Sequence, residues 1–170
     1  LIAFLVHNKS VFAQVVEFIK SLYRPTYKVV LDFSKTIVQM VKEGGYSWAD
    51  TNINDENFPV VGNGTTEREI TIFHFGRHIS SKNAIAEMRK GGYLPATVAE
   101  LLAIGKVQPD LKRGFTIVAL GQTWRDPDAH LMVVCRYEGG SECEVRLGCF
   151  DRDWSDNWHF VAVSEEKLEA

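Results

Sequence analysis

A chain of 170 residues, 45% hydrophobic and 11% aromatic, has the composition of a folded protein with one sizeable core and not of a disordered one. Its net charge of -3, with acidic and basic residues interspersed, argues against a dedicated nucleic-acid binder, which carries a basic face. Three cysteines (Cys135, Cys143, Cys149), an odd number without Cys-x-x-Cys spacing, speak against a disulfide framework or a structural zinc site. Reduced, buried thiols are the better reading, and they slightly favour the cytoplasm.

The chain opens at Leu1 without methionine, which reads as a processed or shortened start. Residues 1–6 are apolar but too few to span a bilayer, and no small-residue cleavage pattern follows them. Asn8-Lys9-Ser10 and Asn63-Gly64-Thr65 match the N-glycosylation pattern, which matters only in a secretory setting. Over residues 10–23, Val11, Val15, Phe18, Ile19 and Leu22 fall on one helical stripe, ended by Arg24-Pro25. Residues 27–31 form a short β-branched run. A second amphipathic helix with Phe33, Ile37, Met40 and Val41 is then capped by Asp32 or Ser34 and closed by Gly44-Gly45. Residues 46–64, rich in Asn, Asp and Gly, read as irregular, and as the boundary between a helical segment (1–64) and a mixed domain (65–170).

In the second part, residues 69–75 alternate as a strand. Ser80-Ser81-Lys82-Asn83 opens a helix that stops at Gly91-Gly92. Pro95 blocks helix at Leu94, and Thr97 with Glu100 forms a capping box for a helix ending near Gly105. Residues 115–120 are a continuous apolar run, read as a buried strand. Residues 131–137 and 143–149 pair through a Gly-containing hairpin loop, with Cys143, Val145, Leu147 and Cys149 on one face. Residues 159–163 form a last strand before a charged tail.

Chemistry concentrates in Phe150-Asp151-Arg152-Asp153-Trp154-Ser155-Asp156-Asn157-Trp158, between two strands. Trp and Arg supply large binding energies at recognition surfaces, and loops on a rigid sheet commonly present them. The competing reading has the tryptophans plug the core while Asp and Asn form turn hydrogen bonds. Asp151, Asp153, Ser155 and Asn157 alternate like calcium ligands, but Asp156 stands where an EF-hand loop needs glycine and Ala162 where it needs glutamate. His74 and His78 are four apart but interrupted by Gly76, and Cys149 with His159 lacks an orienting third group. With no nucleophile elbow, phosphate-cradling loop or dinucleotide fingerprint, the chain reads as non-enzymatic, without catalytic residues, metal or cofactor; a metal-dependent hydrolase using His74, His78 or Asp residues is the last-ranked alternative.

Gly92-Tyr93-Leu94-Pro95-Ala96-Thr97 with Glu100, Glu138-Gly139-Gly140-Ser141, and Trp158-His159-Phe160-Val161-Ala162-Val163 together resemble the C-type lectin-like fold. The version resembled is that of formylglycine-generating-enzyme-like domains and of diversity-generating retroelement variable proteins, over residues 69–163. The corner lacks the arginine common in those families. The chain is also similar to an uncharacterised bacterial family, many of its members from candidate lineages. The likeness rests on Asn57-Phe58-Pro59, the Pro95-Ala96-Thr97 corner, the strand from Phe115 to Gly121, and Trp154, Phe160, Ala162 and Val163. Cys149 and His159 depart from it.

The resemblance implies an α+β protein whose C-terminal domain packs two short helices on a small, twisted, mostly antiparallel sheet, after an N-terminal helical segment. It also implies a variable-type recognition loop for a protein or small-molecule ligand, at Asp151, Arg152, Asp153, Trp154, Ser155, Asp156, Asn157 and Trp158. Trp124 and Arg125 are expected to assist from the preceding loop. Oligomerisation through the N-terminal amphipathic helices is the alternative. No membrane span and no nucleic-acid partner are expected.

Overall fold

The computed structural model describes residues 24–107, 116–139 and 142–165; the helix expected over residues 10–23 lies outside them. The β-branched run after Pro25 forms strand β1 (Thr26–Asp32), with Val29 and Leu31 buried and Val30 on the opposite, exposed side. Asp32 Oδ1 then accepts from the backbone N–H and hydroxyl of Ser34, which makes a turn and not a helix cap. Helix α1 (Ile37–Glu43) starts at Thr36, whose hydroxyl oxygen accepts from Gln39 N–H while Gln39 Oε1 accepts from Thr36 N–H. The cap expected at Asp32 or Ser34 therefore sits at Thr36: a Thr-x-x-Gln pair satisfies two helix-start donors reciprocally, whereas Asp32 is occupied in its own turn.

Strands β2 (Trp48–Ala49), β3 (Thr65–His74) and β4 (Ile79–Ser80) lead to α2 (Ser81–Lys90), capped by Ser80 and closed at Gly91 and a left-handed Gly92 (φ 76°). Strand β5 (Tyr93–Pro95) and helix α3 (Val98–Val107) flank the expected capping box. Thr97 donates to Glu100 Oε2 from its backbone N–H (2.6 Å) and its hydroxyl (2.9 Å), and Glu100 N–H returns to Thr97 Oγ1. Helix α3 continues through Gly105, where it was expected to end. The ring and hydroxyl of Tyr46 lie so close to Gly105 that a Cβ has no room. Strands β6 (Thr116–Arg125), β7 (Leu131–Gly139), β8 (Glu142–Cys149), β9 (Asp153–Trp154) and β10 (Trp158–Ser164) complete the chain.

The main sheet runs β1-β3-β10-β6-β7-β8-β2, with β5 also pairing β10; β10–β6 and β8–β2 are parallel and the other pairs antiparallel. The fold is thus α+β, with a mixed, mostly antiparallel sheet. The boundary expected at residue 64 is bridged, because β1 pairs β3 over seven residues and β2 pairs β8. A small ribbon of β4 and β9 sits beside the sheet.

Alternation along the strands divides the interior into two cores. One face carries Val29, Leu31, Ile70, Ile72, Ile117, Val134, Val145 and Val161 beneath α1 and α3. The other carries Phe73, Val118, Leu120, Val133, Cys135, Phe160 and Ala162 beneath α2, Ile79 and Trp154. The buried residues of α1, Ile37 and Met40, belong to the first core, so that helix uses its apolar stripe inside the chain. No helix among the described residues is long and apolar enough to cross a membrane.

Candidate functional site

Strand β8 ends at Cys149, and Phe150 N–H closes on Leu131 O at 2.7 Å, so the chain must turn back across the second core to reach β10. In that crossing Trp154 is completely buried and Trp158 is 6% exposed. Trp154 pairs with Ile79 in the ribbon, its Nε1 donates to Ser81 Oγ at 2.8 Å, and Ser81 Oγ donates in turn to Phe150 O at 2.6 Å. Its indole meets Trp158 at 4.5 Å and Phe160 at 6.3 Å, both edge-on. Gly148 leaves room for this ring, since a Cβ there would reach Cys135 Sγ and the Trp154 ring.

The expectation that both tryptophans are displayed is thereby corrected. An indole brings a large apolar surface, and this loop has an uncovered sheet face to put it on. Asp151, Arg152, Asp153, Asp156 and Asn157 are exposed, and Ser155 is half-buried, donating to Asn157 Oδ1. Trp124 and Arg125 do not join them: Trp124 packs on Phe58 against the opposite core, and Arg125 Nη1 donates to Ala129 O within its own turn.

The structure instead assembles the loop with residues outside the expected set. The Arg152 guanidinium lies over the rings of Trp154 (4.8 Å) and Trp158 (5.3 Å). Tyr137 stands edge-on to Trp158 at 5.2 Å. Arg146 lies 5.6 Å from both Tyr137 and Trp48, and Glu144 pairs with it at 2.5 Å. Trp48 is 49% exposed. Register explains the alignment, because Trp48 pairs with Glu144 and Glu144 with Tyr137, which sets all three on one face. The result is a strip in which guanidinium groups alternate with aromatic rings, from the sheet edge to the loop. Cation–π contacts of this kind contribute about 0.5–1 kcal/mol each at exposed sites. Burial, helped by the nearby Cys135, raises the Tyr137 pKa, so the phenol is neutral at ordinary pH.

Sequence reasoning reached Arg152 but missed Trp48, Tyr137 and Arg146. For Tyr137 and Arg146 a signal existed: alternation in the β7–β8 hairpin sets them on the face opposite Cys143 and Val145.

At the start of β10, next to Trp158, His74 and His159 stack at 4.4 Å with 14° between the rings, and His74 Nε2 donates to Asp156 O at 2.6 Å. Burial first, then the neighbouring His74, push the His159 pKa from 6.5 down to about 4. A depressed histidine pKa means the folded state favours the neutral ring. That stability is fully present above pH 6.5 and is lost as pH falls toward 4. Thermal melts of His159→Gln should accordingly show a smaller fall in Tm than wild type between pH 6.5 and 4. An identical fall in both proteins would rule out this residue.

Among the described residues, neither His74 nor His78 belongs to a group of three or more side chains that could share a metal ion. Among the described residues, the side chains whose ligand atoms come within 4.8 Å are Asp126, Asp128 and His130, on the exposed β6–β7 turn. Asp126 already accepts from His130 N–H at 2.8 Å there, and its Oδ2 faces His130 Nδ1 at 3.3 Å. Cys149 and His159 sit on strands separated by β6 and β7, roughly 14 Å at ordinary strand spacing, too far for a nucleophile and its base. All three cysteines are free. No protein-family model matches this chain, and no curated protein or solved structure matches it either.

Proposed function

We propose that the chain is a non-enzymatic binding module of C-type lectin-like type. Its recognition surface is the Trp48–Arg146–Tyr137–Arg152 strip together with the exposed side chains of the β8–β10 loop. The observation that carries this reading is Arg152, an exposed guanidinium seated on two buried indoles. Its platform is fixed by the core while its donors face solvent, the preorganised arrangement that favours binding hot spots. The lectin-like assignment is supported by the antiparallel pairing of β3 with β10, the first and last strands of residues 65–165, around a helix–corner–helix unit and the β7–β8 hairpin. In such a scaffold the buried tryptophans are the fixed part, and Asp151, Arg152, Asp153, Asp156 and Asn157 are the positions free to vary.

Panning a random-peptide library on the immobilised protein tests the reading. Enriched peptides should lose at least about tenfold in affinity on Arg152→Ala or Trp48→Ala, the scale of a hot-spot truncation, and keep their affinity on Arg125→Ala. Peptides indifferent to Arg152 and Trp48, or none enriched, would overturn it.

A further inference from the structure

Asn63-Gly64 is the one place in the chain where asparagine precedes glycine. The pair leads into β3, and Asn63, Gly64 and Thr65 are all exposed. Gly64 takes φ 66°, and a Cβ there would meet nothing within 4 Å, so its amide is open to solvent. The chain is pinned on both sides of Asn63. The Phe33 ring lies so close to Gly62 that a Cβ has no room, and Phe33 N–H donates to Gly64 O at 2.9 Å. Between these anchors, no described group is hydrogen-bonded to the Asn63 carboxamide, and no backbone bond among the described residues uses the Gly64 N–H. Other asparagines are held. Asn52 and Asn54 donate from Nδ2 to Asp50 Oδ1 and Thr51 O, Asn57 donates to Asn52 O, and Asn157 Oδ1 accepts from Ser155.

We propose that Asn63 is a self-modification site, where the chain converts its own carboxamide to isoaspartate with water as the co-reactant. The Gly64 nitrogen, on losing its proton, attacks Asn63 Cγ; a C–N bond closes a succinimide ring and Nδ2 leaves as ammonia. Glycine permits the attack because no Cβ shields its nitrogen. Water then adds to one of the two imide carbonyls and opens the ring, and no electrons are transferred. Opening at the former backbone carbonyl leaves the chain running through Cγ, as isoaspartate; opening at Cγ gives aspartate. Either product replaces an amide by a carboxylate, taking the formal net charge from -3 to -4. Isoaspartate also adds one carbon to the backbone between the two pinned glycines. That strains the Phe33–Gly64 hydrogen bond at the end of the β1–β3 pair. The turn is no part of the recognition strip, so success or failure here leaves the binding reading untouched.

The test holds the full chain in warm, mildly alkaline heavy-oxygen water, folded or unfolded in urea, and locates isoaspartate by mass spectrometry with electron-transfer fragmentation. Labelled isoaspartate should form at residue 63 at least about tenfold faster than at Asn52, Asn54, Asn57 or Asn157, and nearly as fast in the folded chain as in urea. Mildly acidic buffer should slow it, and Asn63→Gln should abolish it. The aged protein should melt about 2–4 °C below the fresh one, the scale of one lost hydrogen bond in a chain of this size. Asn63→Asp, which carries the charge without the extra carbon, should melt with the fresh protein. If residue 63 converts in urea but stays intact in the folded chain, the fold shields it and the proposal is overturned. Conversion spread evenly over the asparagines overturns it too, and unchanged melting of the aged protein overturns the effect on the strand pair.

Discussion

Trp154→Ala is expected to destabilise the fold by about 3–5 kcal/mol, the range for removing a fully buried large aromatic side chain, and to lower Tm by roughly 6–20 °C. Three contributions add. The indole fills the space over Gly148 and beside Trp158 and Phe160, and surrounding side chains can collapse only partly into the hole. Its Nε1 hydrogen bond to Ser81 Oγ is lost at the start of α2. Its ring also supports Arg152, so the strip loses part of its platform. Asp151→Ser and Asp156→Ser, exposed in the same loop, should each change stability by no more than about 0.5 kcal/mol. Urea melts of the three variants measure the contrast directly. A Trp154→Ala protein as stable as Asp156→Ser would mean that the loop is not divided into a fixed interior and a tolerant exterior.

That division marks where the sequence was informative and where it was not. Local signals carried the elements well. The Gly91-Gly92 stop, the Thr97 and Glu100 box, and the alternation of Cys143, Val145, Leu147 and Cys149 each depend on neighbours within four residues, and each appears as read. The Thr36 and Gln39 box was equally local and was there to be found, but Asp32 and Ser34 look like better caps until Asp32 is seen bonded to Ser34. Long-range pairing was illegible. Nothing near residue 64 reveals that β1 will lie against β3, and nothing in a loop rich in Trp and Asp reveals that Ile79 will pair with Trp154. For the candidate site this mattered most: whether an indole faces solvent or core is decided by a sheet face that the loop's own residues do not contain. Arg136 is the intermediate case. Period-two alternation sets it beside Val134, on the buried face, so its burial could have been inferred although its surroundings could not.

A second large effect is expected at Gly121, where the argument is steric. Its pairing neighbourhood is irregular, since the register between β6 and β7 shifts between Ala119 and Trp124, and Gly121 N–H donates to Ala96 O at 2.9 Å. A Cβ on Gly121 would strike Pro95 O, and would stand 2.5 Å from Ala96 O and 2.7 Å from Ala96 C, all backbone atoms. They cannot retreat, because Ala96 N–H is bonded to Val161 O and Pro95 is registered against Ala162, which holds the corner against β10. Gln122 holds it from the other side, accepting from Val98 N–H and donating to Pro59 O. Gly121→Ala should therefore destabilise by about 2–4 kcal/mol, combining overpacking with a weakened hydrogen bond, and lower Tm by roughly 4–16 °C. Gly91→Ala is the control: nothing lies closer than 3.4 Å to its added Cβ and its φ is -87°, so its change should stay near 0.5 kcal/mol. Equal melting of the two variants would mean that the Pro95–Ala96 corner yields, and that β10, which carries Trp158 and Phe160, is not held by it.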